Sequence, residues 1–137
     1  MKVVFASWLI GLLVSLLIGH LVTDIFLNRL RLHIKRKADQ RHETEIFNSI
    51  MSEPLDAPNW LIGLTERTFF TILVSFNVPA TAIAMITWIA VKMVYNWGVL
   101  VRENSTVTHR SLAFSALLGN ISSMFFAALG GIICRIA

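Results

Sequence analysis

Between Trp60 and Val101 the chain is apolar for longer than one membrane crossing needs. A single helix through that block would be about 63 Å long at 1.5 Å per residue. The hydrocarbon core of a bilayer is only about 30 Å thick, and tilt does not absorb a twofold excess. Near the block's centre stands the run Phe76-Asn77-Val78-Pro79-Ala80. Pro79 lacks an amide hydrogen and drives Val78 away from helical angles. Asparagine is a common turn residue. The block therefore divides into two spans, about 60–77 and 80–97, joined by a tight turn. Apolar runs at 3–27 and 111–135 supply two more. The expected fold class is all-α: a polytopic membrane helix bundle of four transmembrane helices, in a single membrane domain covering 1–137. The alternative is three spans, the middle one a long kinked helix.

Composition agrees with a membrane protein. The chain is 55% hydrophobic and 15% charged, against about 25% charged for an ordinary soluble domain. Lys2 followed by an apolar run has the look of a signal peptide. The run is too long for an h-region and has no A-x-A-like site after it, so it reads as a mature helix. One cysteine, Cys134, excludes a disulfide within the chain.

The cations are concentrated. Arg29, Arg31, Lys35, Arg36, Lys37 and Arg41 crowd a loop expected at 28–59. Basic loops lie on the cytoplasmic side. With four spans, Arg102 and Arg110 join them there, while Lys2 and Arg135 flank the outer ends. Both termini are then outside. The six cations would be drawn to anionic lipid headgroups, at about 1 kcal/mol each. No aromatic residue interleaves with them, so nucleic acid is not an expected partner. Later in the loop Thr44 is placed to cap a short helix with Ile46, Phe47, Ile50 and Met51 on one face. That helix is expected on the membrane surface; a solvated linker, ended by Pro54 and Pro58, is the alternative.

Small residues recur every fourth position in the first and last spans. The first has Ser7, Gly11, Ser15 and Gly19; the last has Ser115, Gly119, Ser123, Ala127 and Gly131. Lipid tails are as apolar as leucine, so helices in a bilayer associate by close backbone approach and interhelical hydrogen bonds. The two stripes are expected to pack against each other, antiparallel. A narrow conduit lined by small residues is the functional alternative.

Ionisable groups inside spans are costly and need partners. Glu66 and Lys92 lie at similar distances before and after the turn, so they share a depth and are expected to pair. Arg67 points away from Glu66 yet stands close enough to rescue Lys92's role, so losing Glu66 should be harsher than losing Lys92. His20 and Asp24 are four apart on one helix face. Asn120 lies near the middle of the last span. These six residues form an expected intramembrane charge network gathered in the inner half of the bilayer. No H-E-x-x-H, G-x-S-x-G or metal-spaced Cys/His cluster occurs, so neither an enzyme nor a metal or other cofactor is expected. The expected role is structural or accessory, with a homo-oligomer or a membrane protein as partner. The competing class is a small ion- or proton-coupled transporter or channel subunit.

The stretch GLTERTFF, Gly63–Phe70, followed by a lysine-bearing helix and a small-residue helix, resembles small uncharacterised bacterial inner-membrane proteins with a Gly-x-x-Glu-Arg helix. The resemblance implies a bacterial inner-membrane location and no particular activity.

Overall fold

The computed structural model describes residues 2–52, 59–100 and 106–136, and every regular element among them is helical. Arg102 and the prolines at 54 and 58 lie outside the described residues. The order is α1 (Lys2–Leu13), a π-helical segment (Val14–Ile18), α2 (Gly19–Gln40), α3 (Thr44–Ser52), α4 (Asn59–Ser75), α5 (Thr81–Leu100) and α6 (Val107–Ile136). Two stretches are long and apolar enough to cross a membrane, Phe5–Gln40 and Val107–Ile136, and a shorter apolar helix runs through Thr81–Val94.

The α6 helix is the axis, and every other helix packs on it. Its pairing with α4 is parallel. Arg67 meets Ser123 and Thr71 meets Ala127, each pair separated by 56 residues. Its pairing with α1 and α2 is antiparallel. Gly11 lies against Gly130, Gly19 against Phe126 and Leu27 against Gly119, and Thr23 bonds Ser122 at 3.0 Å. The block at 60–100 is two helices, not one kinked helix. The α4 helix ends with Asn77 in the left-handed region (φ 53). The Val78 amide donates to Leu73 and the Asn77 amide to Val74, both at 3.0 Å. That is a Schellman ending, with asparagine in the place glycine usually takes and proline following.

Three expectations are corrected. The first concerns the stripes. Four residues overshoot one α-helical turn by about 40°, so a strict stride of four winds around a straight helix. On α6 nothing compensates. Gly119 faces Leu27 of α2, whereas Gly131 faces Val74 of α4, and between them Ser123 and Ala127 meet Arg67 and Thr71. What α6 turns toward the first helical stretch is Phe126, at Gly19 of α2, and Gly130 and Cys134, at Gly11 of α1. On the first helix the drift is taken up by the π-helical segment, where the Gly19 amide reaches the Val14 carbonyl, five residues back. Gly11, Ser15 and Gly19 therefore stay on the buried side. Ser7, nearer the N-terminus, shares a shallow depression with Ile10, Ile133 and Ile136.

The second correction concerns the basic loop, whose first part is helix. The α2 helix continues to Gln40 and carries Arg29, Arg31, Lys35, Arg36 and Lys37. No glycine or proline interrupts that stretch, and Leu30, Ile34 and Ala38 make an apolar strip at helical spacing. The strip packs with Phe47, Ile50 and Leu112 into a second small core. Cations near a helix C-terminus also meet the negative end of its dipole. Arg41 follows the last helical residue, and His42 (φ 59) closes the helix with the same ending as Asn77. A helix rising this way carries Lys35 to Arg41 away from Arg29, so the six cations do not share one level.

The third correction concerns α3. Its apolar face is turned in part onto α2 and α6, through buried Phe47 and partly buried Ile50, while Met51 of the same face is exposed. Thr44 does not cap it; its hydroxyl donates to Asp39 at 2.7 Å. The neighbouring Glu43 instead caps α6, taking the Thr108 amide at 3.2 Å and the Thr108 hydroxyl.

The Gly11–Gly130 contact leaves no room for a methyl group. A Cβ on either would stand 2.5 Å from the other's carbonyl oxygen, whereas a Cβ on Gly63 meets nothing within 4 Å. Gly11→Ala and Gly130→Ala should each cost about 1–3 kcal/mol. Gly63→Ala should stabilise by about 0.5–1 kcal/mol, the ordinary gain of alanine over glycine in a helix. Unfolding midpoints of the three variants in one detergent check this ordering; equal midpoints would contradict it.

The Thr108 hydroxyl's bond holds the Glu43 carboxyl below its usual range, helped by the Thr108 amide and the charges of Arg41 and His109. A depressed carboxylate stabilises above its unfolded pKa and loses that contribution as pH falls through the folded pKa. The tie between α3 and α6 should therefore be intact at neutral pH and fail below the ordinary glutamate range. Thr108→Val should raise the Glu43 midpoint in a carboxyl NMR titration, and an unchanged midpoint would remove the hydroxyl as its cause.

Candidate functional site

Adjacent residues on a helix point about 100° apart. Glu66 and Arg67, both buried, therefore open onto different sides of α4. Glu66 faces α5. Lys92 donates to its Oε1 at 2.8 Å and to Asn120 Oδ1 of α6 at 2.9 Å. The Glu66 side chain is 6% exposed and that of Lys92 25%. One ammonium thus joins α4, α5 and α6. The Asn120 Nδ2 is buried with no partner among the described residues.

Arg67 turns to the other side, 4% exposed, and its Nε donates to Ser123 Oγ at 2.9 Å. It forms no ion pair with a carboxylate among the described residues. One turn further along α4 and α6 the hydroxyls connect. Thr71 donates its proton to the Ala127 carbonyl at 3.3 Å, so the 2.7 Å contact between Ser15 and Thr71 has Ser15 as donor.

The expected network is thus brought together in part. Glu66, Lys92 and Asn120 form one cluster, and Arg67 stands beside it with Ser123. His20 and Asp24 stand apart on α2, 3.6 Å from each other, with side chains 48% and 59% exposed. Of the packing residues, Gly11, Ser15, Gly19, Ser115, Gly119, Ser123, Ala127 and Gly131 are all buried. Among the described residues no group of His, Cys, Asp and Glu is arranged to hold a metal ion. Hydroxyl pairs were the part least legible in the sequence. Ser15 and Ser123 stood out only as small residues, although each carries a hydrogen bond between helices. The bond of Arg135 to Asn77 Oδ1, at 2.6 Å, ties the end of α6 to the turn. The Cys134 thiol, buried, points at the Trp8 carbonyl at 3.8 Å.

No protein-family model, curated protein or solved structure matches the chain.

Burial reverses the order of severity expected for the pair. Glu66 has Lys92 as its cation, whereas Lys92 keeps Asn120 and partial exposure when Glu66 is lost. Arg67 is engaged elsewhere. Lys92→Met should therefore be the harsher single change, at about 3–5 kcal/mol, because it strands a buried carboxylate. The double change with Glu66→Gln should cost less than Lys92→Met alone. A double-mutant cycle on stability should give a coupling of about 1–3 kcal/mol; strict additivity would mean that the two do not interact.

Proposed function

We propose that this chain is a small, non-enzymatic membrane protein of structural or accessory role, associating with itself or with another membrane protein. The observation that carries the reading is that the inward-facing charges are each engaged with a group on another helix. Lys92 holds Glu66 and Asn120, and Arg67 is held by Ser123. Groups so engaged tie helices together.

In this reading the bundle crosses the bilayer four times, with α4 and α5 as the second and third spans. Support comes from its two ends. Phe76, Asn77, Trp8 and Arg135 gather at one, with Trp8 and Phe76 ring centroids 5.4 Å apart. The α2 cations and Arg110 lie at the other. The basic end is then cytoplasmic by the positive-inside tendency, and both termini are outside. A bacterial inner membrane is the location, on the Gly-x-x-Glu-Arg resemblance at Gly63–Arg67. The lipid-headgroup role falls to Arg29 and Arg31, where α2 leaves the apolar zone.

The second reading, an ion- or proton-coupled transporter or channel subunit, draws on the unpartnered Asn120 amide. Purified protein in liposomes should show no proton or cation flux above empty vesicles. Flux that Glu66→Gln abolishes would replace the first reading with the second. For topology, in a Cys134→Ser background, a cysteine at Asn77 should react with an impermeant reagent from outside and one at Arg36 should not. The reverse pattern would overturn the orientation.

A further inference from the structure

A guanidinium carries N–H donors on three nitrogens, and buried Arg67 spends one of them. Its Nε donates to Ser123, and no other hydrogen bond or ion pair to Arg67 forms among the described residues. The terminal nitrogens are not walled in: the enclosed polar atom without a partner among those residues is Asn120 Nδ2. Charge is also unequal here. Arg67 and Lys92 are turned inward with one carboxylate, Glu66, which Lys92 holds. Asp24, on α2, is more than half exposed and stands 3.6 Å from His20. A buried charge is costly unless a counter-charge meets it.

Beside Arg67 the inward side of α4 has a gap. Gly63 lies three residues before Glu66 and four before Arg67, so it points between them. Its neighbours Ile62 and Leu64 are exposed on either side. Although Gly63 is turned inward, a Cβ there would meet nothing within 4 Å. The offset of 56 that sets Arg67 on Ser123 puts Gly119 at the level of Gly63, and α6 turns that glycine to Leu27 of α2. Along the axis Gly63 stands about 6 Å from Arg67, on the side of the α2 cations, which draw anions to that end of the bundle.

We propose that the gap at Gly63 is a binding site for a phosphate group, held by the terminal nitrogens of Arg67. A guanidinium fork matches two phosphate oxygens, and the charge-assisted pair supplies Arg67 with its counter-charge. Thr23 of α2 meets Ser122 and Arg67 meets the next residue, so Arg67 lies about 9 Å along the bundle from Arg29. In the membrane reading that leaves two sources within reach, the headgroup of a cytoplasmic-leaflet lipid and free phosphate. The site is independent of the self-association reading.

The test uses the full chain, delipidated in a maltoside detergent, with the unfolding midpoint read at constant ionic strength. Inorganic phosphate or dihexanoylphosphatidylglycerol should raise the midpoint above its value in chloride. Response to the short-chain lipid alone assigns the site to a headgroup; response to inorganic phosphate assigns it to the free ion. Gly63→Leu, which fills the gap, should abolish the response. Arg67→Lys, which keeps the charge without the fork, should weaken the apparent Kd about tenfold, the loss of one charge-assisted hydrogen bond, and Arg67→Gln should weaken it further. No shift beyond chloride with either probe would overturn the site. A shift that survives both Gly63→Leu and Arg67→Gln, and is lost with Arg29→Gln, would place the anion on the surface cations instead. An equal response to acetate would overturn the phosphate class. A response that appears only after Asp24→Asn would make Asp24 the counter-charge and overturn the site as well.

Discussion

Three helices meet where Ser15, Thr71 and Ala127 are wholly excluded from solvent. Little else could hold them so close. In the membrane reading, hydrocarbon offers no hydrophobic drive between helices, so contact depends on dispersion between backbones and on hydroxyls with nowhere else to bond. Each such bond is worth only about 0.6 kcal/mol on average in a membrane. Its force lies in exclusivity, because an unbonded hydroxyl in this dry junction would bear the desolvation cost outright. The relay Ser15 to Thr71 to the Ala127 carbonyl also fixes register. One turn back along the parallel pair, the same offset sets Arg67 on Ser123. The neighbouring Glu66 is then left facing α5, where Lys92 meets it. The position of the charges follows from the position of the hydroxyls.

The stride of four shows what was legible in the sequence and what was not. That Gly11, Ser15, Gly119, Ser123 and Ala127 would be buried follows from size and spacing. Which helix each would face does not, because the answer depends on accumulated rotation. A 40° overshoot per step is small for one pair and decisive over three steps. It carries α6 from Leu27 at Gly119 to Val74 at Gly131. The first helix escapes this drift by a π-helical segment at Val14–Ile18. Nothing local in Val-Ser-Leu-Leu-Ile demands that winding. Tertiary contact at Ser15 and Gly19 is what it serves.

The charges divide in the same way. Glu66 and Lys92 were legible because a tight turn fixes depth on both arms, and counting outward from Pro79 brings them level. The basic stretch misled for a physical reason. Six cations among thirteen residues dominate any reading by charge, and they hide Leu30, Ile34 and Ala38, which keep α2 helical and bury it against Phe47 and Leu112. Glu43 was invisible for another reason. Its partner Thr108 is 65 residues away, and a cap supplied from so far along the chain leaves no local signature.

The arrangement of the polar groups also bears on what they can do together. A passage needs polar groups on one line through the membrane. Here Glu66 and Arg67 are consecutive, so they diverge by about 100° around α4. Asn120 and Ser123 sit three apart on α6, about 60° from each other, and each serves a different side. The result is a ring around the contact of α4 and α6 at nearly one depth. Above it, toward the turn, come hydroxyls and glycines whose neighbours are backbone. In the structural reading, such a ring ties the helices at one level. It resists sliding of one helix along another, since a shift of α4, α5 or α6 along the axis breaks two of the three contacts Lys92–Glu66, Lys92–Asn120 and Arg67–Ser123. The same layer continues sideways to His20 and Asp24, half exposed on α2.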